Sequence, residues 1–534
     1  MFKIVQMTDT YAGIISKWRY PAPYDIYNFT EADASEHYKV MLSNTDEVVG
    51  FYCIGEAARV PLNSESTPYN CSGYVDVGLG LRPDLCGRGL GKELLETALH
   101  DIRIGLGFYS YRLTVATFNE RAIKLYKQFE FKTIDKFSNA SDITFEVMVA
   151  SHFDRIIDRS RQSAIKHFEL EKRFNGSIKH SLWVADMDFE VAESISIALN
   201  DRALDKIYGY TARPDDYWDA AVNWFNRKHG MNIAPHHLIH SPGAVTSINV
   251  SVEALTKPKD KVIIQPPVYH PFYAAIENSG RIVVENPLIF TDGDYAMNYD
   301  ELEQQAKDAT LLILCNPHNP VGRVWRPDEL RRLEEICSKN NVQIVSDEIH
   351  CDLVFKPFVH TSMQTIAERS IPTFVSATKA FNIAGLQASF IIAKDSQQRE
   401  ALSSFFSRYD IELNNSFSLK GVEAAFNGGE KWLNAVLDYI RENMLYIKSF
   451  CEEHLPEIKP NLPEGTYLQW LDCRALGLSS EELDRLLVEK AHMAVNNGSI
   501  FGLHGEGYIR LNVACPRSIL ESAMADLKRA IKFN

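Results

Sequence analysis

The 534-residue sequence predicts an α/β protein in two unequal domains, residues 1–150 and 152–534. Three observations carry that expectation. Short apolar runs alternate with helical stretches beyond residue 152, the pattern of a mainly parallel sheet covered on both faces. Earlier, the glycine-punctuated stretch LCGRGLG (85–91) joins an alternating segment to a helical one. In the longer domain an asparagine, an aspartate and a lysine each follow an apolar run, where ligands collect in such sheets.

In the first segment Val75, Val77, Leu79 and Leu81 alternate with Asp76, Gly78 and Gly80, the period of a half-buried strand, and Pro83 ends it. Gly87, Gly89 and Gly91 follow, then Leu94, Leu95, Ala98, Leu99 and Ile102 at helical spacing. A strand, a glycine loop and a helix start gather backbone N–H groups around one concavity, which suits a pyrophosphate. The same loop also reads as a tight turn before a packed helix. A second strand at Leu113 and Val115 leads into NERAIKLYKQFEF (119–131), where Ala122, Ile123, Tyr126 and Phe129 share a helix face.

Strands are predicted at KVIIQ (261–265), TLLILC (310–315), VQIVS (342–346) and QASFIIAK (387–394), with a helix at PDELRRLEEICSKN (327–340). Asn319, Asp347 and Lys379 follow apolar segments in that order. A lysine amine forms a Schiff base with an aldehyde, a carboxylate keeps a proton on a pyridine nitrogen, and an asparagine donates to a phenolate. The three together point to pyridoxal 5'-phosphate. Singly they are bland: Asp347 could cap a helix, and Lys379 could be a solvated lysine.

Residues 75–131 resemble the GNAT acetyltransferase family, whose glycine loop matches Cys86 to Gly91. That resemblance implies acetyl-CoA held through the backbone of Gly87, Arg88, Gly89, Leu90 and Gly91, and Asn119 as a further contact. It implies Tyr126 as the acid for the leaving thiolate and Asp76 as a carboxylate that helps deprotonate the amine. Alone, Tyr126 reads as core and Asp76 as a solvent-facing strand residue. Cys86 departs from the usual Gln or Arg. Glu130 replaces a usual glycine and is read as a local change of turn.

The longer domain resembles fold-type I pyridoxal phosphate enzymes, and within them the cystathionine β-lyases of the MalY/PatB type. The phrases that carry this are WVADMDF (183–189), YGYTARPDDY (208–217), QPPVYHPFY (265–273), NPHNPVGRVW (316–325), SDEIH (346–350), KAFNIAGL (379–386) and GYIRLNVACPRS (507–518). The resemblance implies a seven-stranded large domain with a smaller α+β domain. Lys379 becomes the cofactor-bonded base, Asp347 the pyridinium partner, Asn319 and His350 neighbours of the phenolic oxygen, and Tyr269 the stacking ring. Gly243, Ala244, Ser376 and Thr378 surround the phosphate, and Arg510 clamps the substrate carboxylate. Tyr210 reaches the phosphate of a neighbouring subunit, implying a homodimer. Gln387 stands where aminotransferases usually carry a phosphate-binding arginine. Carbon–sulfur β-elimination is the implied reaction. An aminotransferase, and a regulatory protein with a non-catalytic GNAT-like domain, remain alternative readings.

A net charge of −14 argues against a nucleic-acid partner. Nine cysteines without a C-x-x-C pair read as reduced thiols, with no metal site. With no signal-peptide pattern and no apolar run near a span's length, the chain reads as cytoplasmic, free of the membrane and acting on small amino acids.

Overall fold

The computed structural model describes all residues except 1, 34–36, 63–67, 71–72, 175, 292, 412 and 533–534. It divides into two compact units, Met1–Arg155 and Ile156–Asn534. The boundary lies past the expected 150/152 because the last strand, Thr144–Ser151, still pairs Ser151 with Ser110. Ser151 and Asp154 then form a capping box, and Phe153 stacks on Tyr109 at 5.3 Å, which ties 152–154 to the first unit.

The first unit is a seven-stranded sheet. Its strands Val75–Leu81 and Ser110–Ala116 run parallel but pair only at Val75↔Tyr111 and Asp76↔Arg112. Beyond Asp76 the two strands part. The helix Leu90–Asp101 buries Leu94, Leu95, Ala98 and Leu99 beneath the sheet, the stripe its sequence period foretells.

The second unit also has a seven-stranded sheet. In spatial order its strands are Ile282–Glu285, Lys261–Ile264, Leu311–Cys315, Gln343–Asp347, Thr373–Val375, Ser389–Ile392 and Leu238–Ser241. Only Ser389–Ile392 runs against the rest. Alternate residues face two cores: Ile263, Leu312 and Leu314 on one side, Val262, Ile264, Leu311 and Ile313 on the other. Apolar runs without alternation are therefore what this sheet requires. Each fully buried Leu, Ile or Val contributes about 2 kcal/mol. The smaller part is an antiparallel sheet containing Leu468–Asp472, Tyr508–Asn512 and Asn496–Asn497. It is joined by the helices Glu430–His454 and Arg517–Lys532. Among the described residues no helix is long and apolar enough to cross a membrane.

Candidate active site

The strand ends place the chemistry. Cys315 pairs with Asp347 at the carboxyl ends of adjacent strands, and Thr373–Val375 leads directly into Ser376 and the turn of helix Ala377–Ala380 that carries Lys379. Asn319, Asp347, His350, Tyr269, Lys379 and Arg510 all line one cavity of about 290 Å³. Arg510 arrives from the smaller sheet, where its register partner is Asn496. Its fork donates to Asn496 Oδ1 at 2.6 Å, Asn319 Oδ1 at 3.1 Å and the Trp183 carbonyl at 3.1 Å. With Oδ1 of Asn319 taken, its amide NH₂ is left for another acceptor.

Burial sets the charges. It pushes the Asp347 carboxyl up to about 7 and the Lys379 amine down to about 8. His350 is driven to about 3, so its imidazole is neutral, and burial also lowers Arg510 to about 10. Lys379 Nζ donates to the Ala185 carbonyl at 2.7 Å, which also accepts from Tyr467 Oη at 2.9 Å.

These residues fit pyridoxal phosphate. A buried carboxylate that resists ionising needs a cation before it, which a protonated pyridine nitrogen supplies. His350 Nδ1 and Arg510 Nε are buried without a partner, two polar atoms that await a ligand. Gly243 precedes the twelve-residue helix Ala244–Leu255, and a Cβ there would meet nothing within 4 Å. That helix start offers unpaired N–H groups to a phosphate. Ser376 Oγ caps the Lys379 turn and lies 2.7 Å from Thr378 Oγ1. Tyr210 stands apart from the cavity, 95% exposed.

In the first unit, Gly87 and Gly89 take φ of +78° and +83°, the left-handed backbone that glycine tolerates. Among the described residues, Gly87, Arg88, Gly89, Leu90 and Gly91 give no backbone N–H to an acceptor. Asn119 Oδ1 caps the helix Glu120–Gln128 by accepting from Ala122. Tyr126 is buried in the core, and burial raises its phenol well above the usual range, so it stays protonated. Asp76 is neither solvent-facing nor free to act as a base. Its oxygens accept from Arg112 Nε at 2.5 Å, Arg112 Nη2 at 2.9 Å and Arg59 Nε at 2.7 Å. Both oxygens are thus engaged by the buried Arg112 and the exposed-edge Arg59. Glu130 is a second correction: at φ +64° it keeps the left-handed turn a glycine would make.

Residues 182–527 match the family "Aminotransferase class I and II". The chain belongs to that family. Residues 5–131 match the "Acetyltransferase (GNAT) family", so a GNAT domain precedes the aminotransferase-class unit. "Cystathionine beta-lyase PatB" of Bacillus subtilis (strain 168) is 38% identical over 386 residues, 71% of this chain and 100% of that protein. A PLP-bound structure from Clostridium difficile 630 is 45% identical with TM-score 0.70, covering 71% of this chain and 99% of that one. The PLP-bound C-S lyase from Staphylococcus hominis is 32% identical with TM-score 0.67, covering 71% and 97%.

Within this aminotransferase-class unit, several cavity residues carry no signal in sequence order. Asn496, Trp183 and Ala185 act through contacts made in the fold, as does Tyr467 behind them through its bond to the Ala185 carbonyl, and WVADMDF (183–189) is the only hint of two of them. The eight described cysteines are free; Cys71 lies outside the described residues. Ligand atoms of His229, Cys351 and Asp352 lie within 4.8 Å of one another. Asp352 already accepts from His229 Nε2 at 2.7 Å and from Trp224 Nε1 at 3.0 and 3.1 Å, so hydrogen bonds account for that cluster.

Proposed function

We propose that residues 156–534 form a pyridoxal-phosphate-dependent carbon–sulfur β-lyase. It converts cystathionine or another cysteine S-conjugate, with water, to a thiol, pyruvate and ammonia. One observation carries this reading: a half-buried lysine, a buried carboxylate and a buried arginine share a cavity in a chain 38% identical to a protein named cystathionine β-lyase.

The cofactor, when bound, supplies an aldehyde that captures the substrate amine and a cationic ring that withdraws electrons from Cα. Asp347 would keep the proton on the ring nitrogen, with Tyr269 against the ring and Asn319 and His350 beside the phenolic oxygen. The amides of Gly243 and Ala244 and the hydroxyls of Ser376 and Thr378 would hold the phosphate. Arg510 takes the substrate α-carboxylate in its fork, preorganised by Asn496 and Asn319. Lys379, its pKa lowered to about 8 so that a useful fraction is the neutral amine, removes the Cα proton, and the bond from Cβ to sulfur breaks with the pair leaving on the thiolate.

A homodimer belongs to this reading. Ile207, Tyr208 and Tyr210 are 79%, 55% and 95% exposed, an apolar strip suited to packing against a second subunit, with the Tyr210 hydroxyl as the donor to that subunit's phosphate. Residues 1–155 act as an acetyl-CoA-dependent N-acetyltransferase, with the 87–91 amides on the pyrophosphate, the Asn119 amide beside the cofactor and Tyr126 as the proton donor. An acetylated α-amine no longer condenses with an aldehyde, so the two activities do not act in that order on one nitrogen.

The test is pyruvate release from cystathionine by the purified chain with no 2-oxo acid present. A lyase gives pyruvate under these conditions. Turnover that needs a 2-oxo acid identifies a transaminase instead.

A further inference from the structure

The cavity is not fully used by this chemistry. Its basic residues are Arg510, assigned to the α-carboxylate, Lys379, spent on the cofactor, and Arg173. His270 lines the same cavity but is held near 4 by burial and then by Arg510, so it is neutral. Arg173 is the remaining cation. It sits toward solvent, with its side chain 52% exposed, beside Ile165, which is 56% exposed.

Its guanidinium is held in place. It lies over the Trp183 indole at 5.0 Å, and its Nε donates to Glu169 Oε2 at 2.5 Å. The indole is fixed in turn: its Nε1–H donates to the Lys166 carbonyl at 3.0 Å, and Phe174 meets it edge-on at 5.6 Å. Among the described residues no acceptor takes Nη1 or Nη2 of Arg173. Trp183 also touches the inner arginine, since its carbonyl accepts from Arg510 Nη2. One residue therefore joins the two guanidiniums, with the indole and Ile165 offering apolar surface for methylenes and a thioether.

We infer that Arg173 is a specificity-determining residue: it recognises a second carboxylate at the far end of the sulfur substituent, the one cystathionine carries, and so sets the preference for such substrates over neutral cysteine S-conjugates. This rests on the lyase reading and narrows it. A cation with an ordered fork and a stacked face is the arrangement that binds a carboxylate without first paying to order the side chain.

The experiment compares full-length holoenzyme with Arg173→Gln and Arg173→Lys on two substrates, S-(2-carboxyethyl)cysteine and S-propylcysteine. They differ chiefly in the distal charge. The unaltered enzyme should prefer the carboxyethyl substrate. Arg173→Gln should lower that preference about fivefold, the scale of a half-exposed ion pair, chiefly through KM, and Arg173→Lys should recover part of it. Equal loss on both substrates, or no loss on either, overturns the inference while leaving the lyase standing. Release of pyruvate from neither substrate by the unaltered enzyme overturns the lyase reading, and this inference with it.

Discussion

Lys379 and Asp347 owe their chemistry to being buried together. The amine falls from its ordinary 10.5 to about 8, so a useful fraction is neutral at physiological pH. Uptake of pyridoxal phosphate by the apoprotein should accelerate with pH and reach half its maximum near 8. Half-saturation near 10.5 would show a solvated lysine. Asp347 shifts the other way, its folded value raised from 3.8 to about 7. Its contribution to apoprotein stability is therefore present below about 4 and lost as pH rises through 7. At 1.4 kcal/mol per unit this approaches about 4 kcal/mol. Melting of the apoprotein across pH 4–7 should show that slope, and Asp347→Asn should flatten it; identical profiles would contradict it. These two residues were legible because their chemical types stand in the required order after apolar runs. The arginine partners of Asp76 were not, because Arg112 meets it only through strand pairing and Arg59 only from the turn after Gly55–Ala58.

At the level of elements, the sequence period located the strands Lys261–Ile264, Leu311–Cys315, Gln343–Asp347 and Ser389–Ile392. It did not find Leu238–Ser241, which ends in His240 and Ser241, nor Ile282–Glu285, nor Thr373–Val375, which spans only three residues. Nor did it give the reversed direction of Ser389–Ile392. That follows from the short connection after Val375, which carries the Lys379 turn and leaves little chain for a parallel crossover. The turn at Glu130 follows local rules instead. Because its left-handed backbone costs a side-chain residue about 1 kcal/mol, Glu130→Gly should stabilise the first unit by up to that amount. Chemical denaturation of the full chain, followed by a probe in that unit, measures it. A loss of stability would show that the Glu130 side chain does more than fill the turn.

For the molecule as a whole, each unit has a hydrophobic core of its own, one around Leu94, Leu113 and Tyr126 and others around Ile263 and Val262. A ligand stabilises the unit that binds it, by about 2.7 kcal/mol at a hundredfold excess over Kd. Calorimetry of the full chain should therefore show pyridoxal phosphate raising one transition and acetyl-CoA another. A single transition moved equally by both would show that the units unfold as one. The central claim is narrower than either activity: one amine, sharing a cavity with one buried carboxylate, bonds the cofactor. Borohydride reduction of the holoprotein followed by peptide mapping tests it most directly. The pyridoxyl label is predicted on Lys379 alone, and a label on any other lysine, or none at all, would contradict the account.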